Sequence, residues 1–192
     1  MIVVVSGLPR SGTSLMMQML EAGGLPILMD DRRPADADNP RGYYEFQPVK
    51  TLDKDNSWMA QAEGKAVKVV SLLLYHLPPG HDYKVLFMER TIAEVLASQT
   101  AMLKRLQPTA APPSPDLDAA MRSHFEKHLK KLDDWLPQQK HISIARFPHA
   151  TVLADPTAAA TKVQQFLGLP LNTAAMSAVI DKSLHRQKSA VK

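Results

Sequence analysis

The chain has 192 residues, 22% of them charged, with a formal net charge of +4, and this length suits one α/β domain over residues 1–192. It contains no cysteine, which excludes disulfides, thiolate zinc sites and cysteine nucleophiles and fits a cytoplasmic location. Its lysines and arginines are spread among acidic residues rather than gathered in a basic tail, so nucleic acid is not the expected partner.

The N-terminal segment passes from a strand to a glycine-containing loop and then to a helix. Residues 2–5 are β-branched, which predicts a buried parallel strand rather than a signal peptide. A helix is predicted from Thr13 because apolar residues recur at three- and four-residue spacing, and Gly23 and Gly24 end it. No apolar run in the chain approaches the length of a membrane span, so none is expected.

Residues 26–48 are rich in turn-forming residues and show no sustained periodicity. Compact domains rarely keep an unstructured loop of this length unless it serves a site, so we predict an active-site loop. Three aromatic residues, Tyr43, Tyr44 and Phe46, surround Glu45 within it.

Strands and helices are predicted to alternate through the rest of the chain. The expected elements are a helix at 49–62, strands at 66–70 and 83–88, a helix at 92–106, a helix at 121–135, a strand at 141–145, and helices at 156–167 and 174–184. A proline-rich connection at 107–116 is expected to border the site. This order predicts an α/β fold of three layers, a central parallel sheet flanked by helices, with ligand beyond the carboxyl ends of the strands.

The loop between the first strand and the first helix has the spacing of a phosphate-binding loop. Gly7 and Gly12 are placed as in the pattern G-x-x-x-x-G-K-[ST], where backbone N–H groups and the helix dipole attract phosphate. Thr13 stands where that pattern has its lysine, which disfavours ordinary ATP or GTP chemistry. Arg10 supplies a cation three residues earlier.

The run Pro9-Arg10-Ser11-Gly12-Thr13-Ser14 resembles the P-[KR]-S-G-T-[TS] loop of the P-loop sulfotransferases, including bacterial sulfotransferase-like proteins. The resemblance implies the sulfotransferase fold, with 3′-phosphoadenosine 5′-phosphosulfate (PAPS) as sulfonate donor and 3′-phosphoadenosine 5′-phosphate (PAP) as product. It also implies that Arg10, Ser11, Gly12, Thr13 and Ser14 hold the 5′-phosphosulfate. Arg10 would in addition contact the bridging region and take part in catalysis.

A second motif agrees with this resemblance. Sulfotransferases bind the 3′-phosphate through an arginine at the end of a later strand and a serine eight residues further on. Arg90 follows the strand predicted at 83–88, and Ser98 lies about two helical turns beyond it. The resemblance therefore implies a 3′-phosphate site at Arg90 and Ser98, and residues 152–156 and 166–170 are also similar to the C-terminal part of bacterial sulfotransferases.

Sulfonate transfer needs a general base and cations that stabilise developing charge, and no metal is expected. Many sulfotransferases carry a lysine followed two residues later by a histidine. Lys68 matches the lysine, but Val70 occupies the position of the histidine. Lys68 is expected at the strand end or facing a polar cleft, because burying an unpaired ammonium group is costly.

Other branches of the family use a glutamate from the region after the first helix, so Glu45 is the preferred base. The alternatives are Asp30, Asp31 and His76. The expected acceptor is a hydroxyl or amine group of a small molecule or protein. Two other functions remain open at this point: a non-catalytic module that binds PAP, and a P-loop small-molecule kinase.

Overall fold

The computed structural model describes residues 1–30, 36, 42–107, 109 and 114–181. Within these ranges the chain forms one five-stranded sheet with the order β2-β3-β1-β4-β5, and each pair of neighbours is parallel. The strands are β1 (Ile2–Gly7), β2 (Ile27–Leu28), β3 (Ala66–Lys68), β4 (Tyr83–Glu89) and β5 (Ile142–Pro148). The predicted α/β class with a parallel central sheet is confirmed.

In the described ranges one α-helix follows β1, two follow β4 and three follow β5. They are α1 (Thr13–Ala22), α2 (Ile92–Leu106), α3 (Pro115–Trp135), α4 (His149–Ala154), α5 (Pro156–Leu167) and α6 (Thr173–Ala178). Short 3₁₀ helices occupy Gln47–Thr51, Ser57–Ala62, Ser71–His76 and Leu136–Gln138. In this part of the chain no helix has both the length and the apolar character needed to cross a membrane.

The sheet separates two hydrophobic layers. Successive side chains of a strand point to opposite faces, and in β1 Val3 and Val5 pack against α1, α5 and α6, whereas Ile2 and Val4 pack against α3 and the 3₁₀ helices. All six residues of β1 are buried. This double coverage explains why the strand reads as an unbroken apolar run.

The strand order places a topological switch point next to β1. From β1 the chain first forms the edge strand β2 and then β3, which lies between β2 and β1, and it continues through β4 and β5 on the other side of β1. In open parallel sheets, ligands bind beyond the carboxyl ends of the strands at such a point. The segments that follow β1, β3 and β4 carry the loop at residues 7–14, Lys68 and Arg90, so all three lie at this edge.

The prediction of one helix over 49–62 is wrong. Two 3₁₀ helices, Gln47–Thr51 and Ser57–Ala62, occupy this region instead. The Asp55 carboxylate accepts a hydrogen bond from Ser57 N at 2.9 Å, and this contact lowers the pKa of Asp55. A short acidic side chain that bonds to nearby backbone in this way competes with a continuous α-helix.

Other boundaries differ from the prediction by a few residues. The loop predicted at 26–48 includes the short strand β2, whose backbone extends the sheet beside β3. Helix α3 begins at Pro115, because Ser114 Oγ caps it by accepting from Leu117 N at 3.2 Å. The connection predicted at 107–116 therefore overlaps its first turn, and residues 108 and 110–113 lie outside the described residues.

The C-terminal helix predicted at 174–184 is shorter in the structure. Helix α6 ends at Ala178, and residues 182–192 lie outside the described part of the chain. The helices predicted at 92–106 and 156–167 are confirmed with the same bounds as α2 and α5.

Candidate functional site

Two glycines allow the loop after β1 to pack tightly. Gly7 has φ +148°, and a Cβ atom there would lie 2.4 Å from Ser11 Oγ and 2.5 Å from the carbonyl oxygen of Met88. Gly12 has φ +104°, and a Cβ there would lie 2.6 Å from Cδ2 of His149. Only glycine satisfies both the backbone conformation and the space at these positions.

Gly12 also caps the N-terminus of α1, which begins at Thr13. The first N–H groups of an α-helix have no partner within the helix, and the helix dipole makes this end attractive to anions. Helix α1 has ten residues and no acidic residue in its first turn. The predicted phosphate-binding residues Ser11 to Ser14 therefore lie where an anion is favoured.

Ser11 is the most enclosed of the predicted loop residues. It is 1% exposed, and its Oγ has no hydrogen-bond partner among the residues that the structure describes. A buried hydroxyl without a partner costs free energy, and a bound ligand or water molecule that accepts its hydrogen bond would remove this cost. The two tight glycines and this hydroxyl fit a loop that closes around phosphate oxygens.

Arg10 connects this loop to the second predicted motif. Its backbone has φ +69°, which is uncommon for a residue other than glycine and is found most often at functional sites. Its Nε donates to Ser98 Oγ at 3.0 Å, and its carbonyl oxygen accepts from Nη1 of Arg90 at 3.2 Å. The structure thus brings Arg10 into contact with Arg90 and Ser98, which are 80 and 88 residues away from it in sequence.

Arg90 is held on its other side by Glu94, one helical turn along α2. The Arg90 Nε and Glu94 Oε2 atoms are 3.4 Å apart, and the two side chains are 9% and 14% exposed. Burial lowers the pKa of Arg90, while the Glu94 carboxylate acts in the opposite direction. Glu94 thus lies against a predicted site residue but was not itself among the predicted ones.

Lys68 forms a second group of contacts at the same edge of the sheet. It is the last residue of β3, as expected, and its Nζ donates to the carbonyl oxygen of Tyr43 and lies 3.4 Å from Ser14 Oγ. Ser14 Oγ in turn donates to the Tyr43 carbonyl oxygen at 3.4 Å. Lys68 therefore contacts Ser14, one of the residues predicted to bind phosphate.

Glu45 lies two residues beyond Tyr43. Its side chain is 20% exposed, and its Oε2 is 3.2 Å from Nζ of Lys50. The Glu45 carbonyl oxygen accepts from Asp30 N at 2.8 Å, and Asp30 Oδ2 accepts from Gln47 N at 2.7 Å. Glu45 and Asp30 are thus both within the segment that borders Lys68.

The remaining alternatives for the base differ in position. His76 is exposed at the end of the 3₁₀ helix Ser71–His76. Asp31 lies outside the described residues. Among the residues that the structure does describe, no three His, Cys, Asp or Glu side chains gather where they could hold a metal ion.

His149 is a second residue at the site that the sequence interpretation missed. It begins α4 directly after β5, is 8% exposed, and packs against Gly12. Its position at the carboxyl end of a strand was the available signal, since Lys68 and Arg90 are found at the equivalent places of β3 and β4.

Comparison with known proteins identifies one family. A family model described as "Sulfotransferase domain" matches residues 2–191. A search of curated proteins gave no significant match.

Proposed function

We propose, from the premise that the chain belongs to the sulfotransferase domain family, that it transfers a sulfonate group from PAPS to a hydroxyl or amine acceptor. The observation that carries this proposal is the direct contact of Arg10 with both Arg90 and Ser98 beside the N-terminus of α1. A donor with phosphate at both its 5′ and 3′ positions needs two adjacent anion sites. A single domain spanning residues 1–192 supplies both in this proposal.

In this proposal the residues of the loop at 7–14 bind the 5′-phosphosulfate. Ser11 Oγ, the backbone at Gly12, and Thr13 and Ser14 at the start of α1 supply hydrogen bonds to its oxygens. Arg10 adds positive charge near the bond that breaks. Arg90 and Ser98 bind the 3′-phosphate, and the guanidinium of Arg90 is suited to a phosphate because it donates several hydrogen bonds in one plane.

The transfer step needs one proton acceptor and one cation. In the proposed step, the acceptor oxygen or nitrogen forms a bond to sulfur, the bond from sulfur to the bridging oxygen breaks, and the bridging oxygen leaves with the 5′-phosphate. The Glu45 carboxylate receives the proton of the acceptor. Lys68 and Arg10 stabilise the negative charge that develops on the sulfonate and the leaving group.

Glu45 is preferred over Asp30 because of what each carboxylate already contacts. Asp30 Oδ2 accepts a hydrogen bond from the backbone of Gln47 at 2.7 Å, and this bond holds Asp30 against the start of the 3₁₀ helix Gln47–Thr51. Glu45 is paired with Lys50, whose side chain is 56% exposed. Because the Lys50 side chain is open to solvent, this ion pair is weak, and Glu45 can exchange it for another partner.

The test is a sulfonate-transfer assay with labelled PAPS over pooled alcohols and amines. We expect turnover with the wild-type protein, and we expect Glu45→Gln and Lys68→Met to lose at least tenfold in kcat while PAP affinity, measured by calorimetry, changes much less. Lys54→Met is a matched control on an exposed turn and should retain activity. PAP binding without turnover on any acceptor would instead support the non-catalytic PAP-binding module.

A further inference from the structure

The backbone carbonyl of Tyr43 contacts two of the predicted site residues. It accepts hydrogen bonds from Nζ of Lys68 and from Oγ of Ser14, the latter at 3.4 Å. Nζ of Lys68 also lies 6.0 Å from the centroid of the Tyr43 ring, close enough for a cation–π contact. Two parts of one residue, its carbonyl group and its ring, therefore face the Lys68 ammonium group.

An unusual backbone conformation sets the direction of this carbonyl group. A carbonyl lies in the peptide plane that it shares with the next residue, so its direction depends on the φ angle of Tyr44. Tyr44 has φ +54°, which is rare for a large side chain and is found most often at functional sites. The Tyr44 hydroxyl donates to Oε2 of Glu21 at 2.6 Å, and its side chain packs against the hydrophobic layer that contains α1. These contacts stabilise the conformation that turns the Tyr43 carbonyl toward Lys68.

The side chain of Tyr43 is held as firmly as its backbone. Tyr43 is 5% exposed, and its hydroxyl donates to the Asp36 carboxylate, lying 2.8 Å from Oδ1 and 2.7 Å from Oδ2. Buried tyrosine hydroxyls usually have a partner, and a hydrogen bond to a charged acceptor is stronger than one between neutral groups. The contact with Asp36 therefore fixes the Tyr43 ring and, through it, the carbonyl group of the same residue.

Lys68 requires a fixed acceptor because its ammonium group stands at the end of a long flexible stem. Holding such a side chain in one geometry costs conformational entropy, which its contacts must offset. In the proposed transfer the Ser14 hydroxyl turns to the phosphosulfate, whereas the Tyr43 carbonyl stays beside the ammonium group. A cation stabilises developing charge best when it is already in place before the reaction begins.

We infer that, if the proposed sulfonate transfer holds, Tyr43 is a positioning residue for Lys68. Its carbonyl oxygen keeps the Lys68 ammonium group beside Ser14, and its hydroxyl, bound to Asp36, keeps that carbonyl in place. Tyr43 touches neither the donor nor the acceptor in this role. Loss of the Tyr43 hydroxyl should therefore impair catalysis through Lys68 and leave nucleotide binding intact.

Tyr43→Phe tests this inference, because it removes the hydroxyl that binds Asp36 and keeps the ring. The rate at which Nζ of Lys68 is acetylated by an N-hydroxysuccinimide ester, followed by mass spectrometry, reports how firmly the amine is held. We expect this rate to rise roughly fivefold in Tyr43→Phe, the size expected for the loss of about one hydrogen bond. Asp36→Asn weakens the same hydrogen bond from its other end and should give the same direction of change.

Tyr83→Phe is the matched control. Tyr83 is also buried, and its hydroxyl donates to the carbonyl oxygen of Pro78 at 3.0 Å, but it begins β4 at the opposite end of the sheet. This variant should leave the acetylation of Lys68 unchanged. Equal acetylation of Lys68 in the wild-type protein, Tyr43→Phe and Asp36→Asn would overturn the inference, as would an equal rise in Tyr83→Phe.

A mutant cycle separates positioning from a purely structural role. Tyr43→Phe should lower kcat roughly fivefold with little change in the KM for PAPS, and it should cause no further loss in Lys68→Met, where no ammonium group remains to be positioned. Additive losses in the double variant, or a change confined to the KM for PAPS, would overturn the inference. Absence of turnover in the wild-type protein would overturn the proposed function and the catalytic role with it, whereas the acetylation rates would still decide whether Tyr43 holds Lys68.

Discussion

Arg90 contacts two oxygen partners of different character. Its Nη1 donates to the backbone carbonyl of Arg10, and its Nε faces the Glu94 carboxylate. The carbonyl contact depends on the left-handed backbone of Arg10, because that conformation sets the direction of the Arg10 carbonyl oxygen. The Arg90 guanidinium is therefore oriented both by the loop after β1 and by the first turn of α2, so the two proposed anion sites are linked by direct contacts.

Arg90→Ala should weaken PAP far more than adenosine 5′-phosphate, because only PAP carries the 3′-phosphate. Hydrogen bonds to charged groups contribute about 1.5–3 kcal/mol, so we expect a loss of roughly tenfold to a hundredfold for PAP in calorimetric titrations. Arg122→Ala, on an exposed position of α3, serves as control. Equal weakening of both nucleotides would show that Arg90 does not bind the 3′-phosphate.

Gly12→Ala should abolish nucleotide binding, whereas Gly24→Ala should only reduce stability. Both glycines have positive φ, +104° and +90°, but an added Cβ meets His149 at 2.6 Å at Gly12 and nothing within 4 Å at Gly24. Strained backbone costs about 1–3 kcal/mol in each case. Thermal unfolding of the two variants reports the backbone strain that both share, and PAP titration reports the collision with His149 that only Gly12→Ala introduces. Retained PAP affinity in Gly12→Ala would contradict the proposed loop geometry.

The sequence predicted some of these residues and not others for a physical reason. Arg90 and Ser98 were identifiable because their eight-residue spacing is a property of the chain alone. Glu94 stands four residues after Arg90, a spacing at which side chains can meet, but only the structure shows that the two are buried against each other. His149 lies at the carboxyl end of a strand, but its packing against Gly12 depends on where β5 ends.

At the scale of elements, a buried histidine joins α3 to the segment after β3. His128 is 7% exposed, its Nε2 is 2.9 Å from Ser71 Oγ, and its Nδ1 is 3.5 Å from the Tyr75 hydroxyl. Ser71 itself is fully buried and begins the 3₁₀ helix Ser71–His76. This contact fixes the backbone three residues beyond Lys68.

The stability of the fold should fall as the pH drops below 6.5. Burial, and then the positive charges of His124 and Lys131, lower the pKa of His128 from its ordinary value of 6.5. The unfolded chain therefore takes up a proton at His128 more readily than the folded chain does. The contribution of His128 to the free energy of unfolding is fully present above pH 6.5, and it is lost as the pH falls through the lower pKa of the folded state.

Denaturant unfolding at several pH values checks this prediction. His128→Gln should remove the part of the pH dependence that lies below pH 6.5, and His76→Gln, at an exposed position, should leave it in place. An unchanged pH profile in His128→Gln would assign the effect to other groups.

Elements with strong periodicity were predicted well, and those governed by local side-chain contacts were not. Helices α2 and α5 have regular apolar spacing and end where the sequence indicates. Residues 49–62 also carry apolar side chains, but the Asp55 contact with Ser57 N breaks the helix into two short turns. Strand β2 has only two residues, too few to show a pattern.

At the scale of the whole molecule, the strand order decides which segments meet. Because β1 lies between β3 and β4, the loop after β1 has Lys68 on one side and Arg90 on the other. The proposed base, Glu45, lies on the segment after β2. The motifs after β1 and β4 could be read from the sequence, but the contacts of Lys68 with Ser14 and with the Tyr43 carbonyl became visible only in the structure.

The proposed function requires this edge of the sheet to bind a nucleotide that carries phosphate at both the 5′ and the 3′ position of its ribose. Calorimetric titration of the wild-type protein with PAP, adenosine 5′-phosphate and magnesium ATP is the decisive measurement. We predict that PAP binds at least tenfold more tightly than either of the others. Binding of magnesium ATP as tight as that of PAP, with no gain from the 3′-phosphate, would contradict the proposed function.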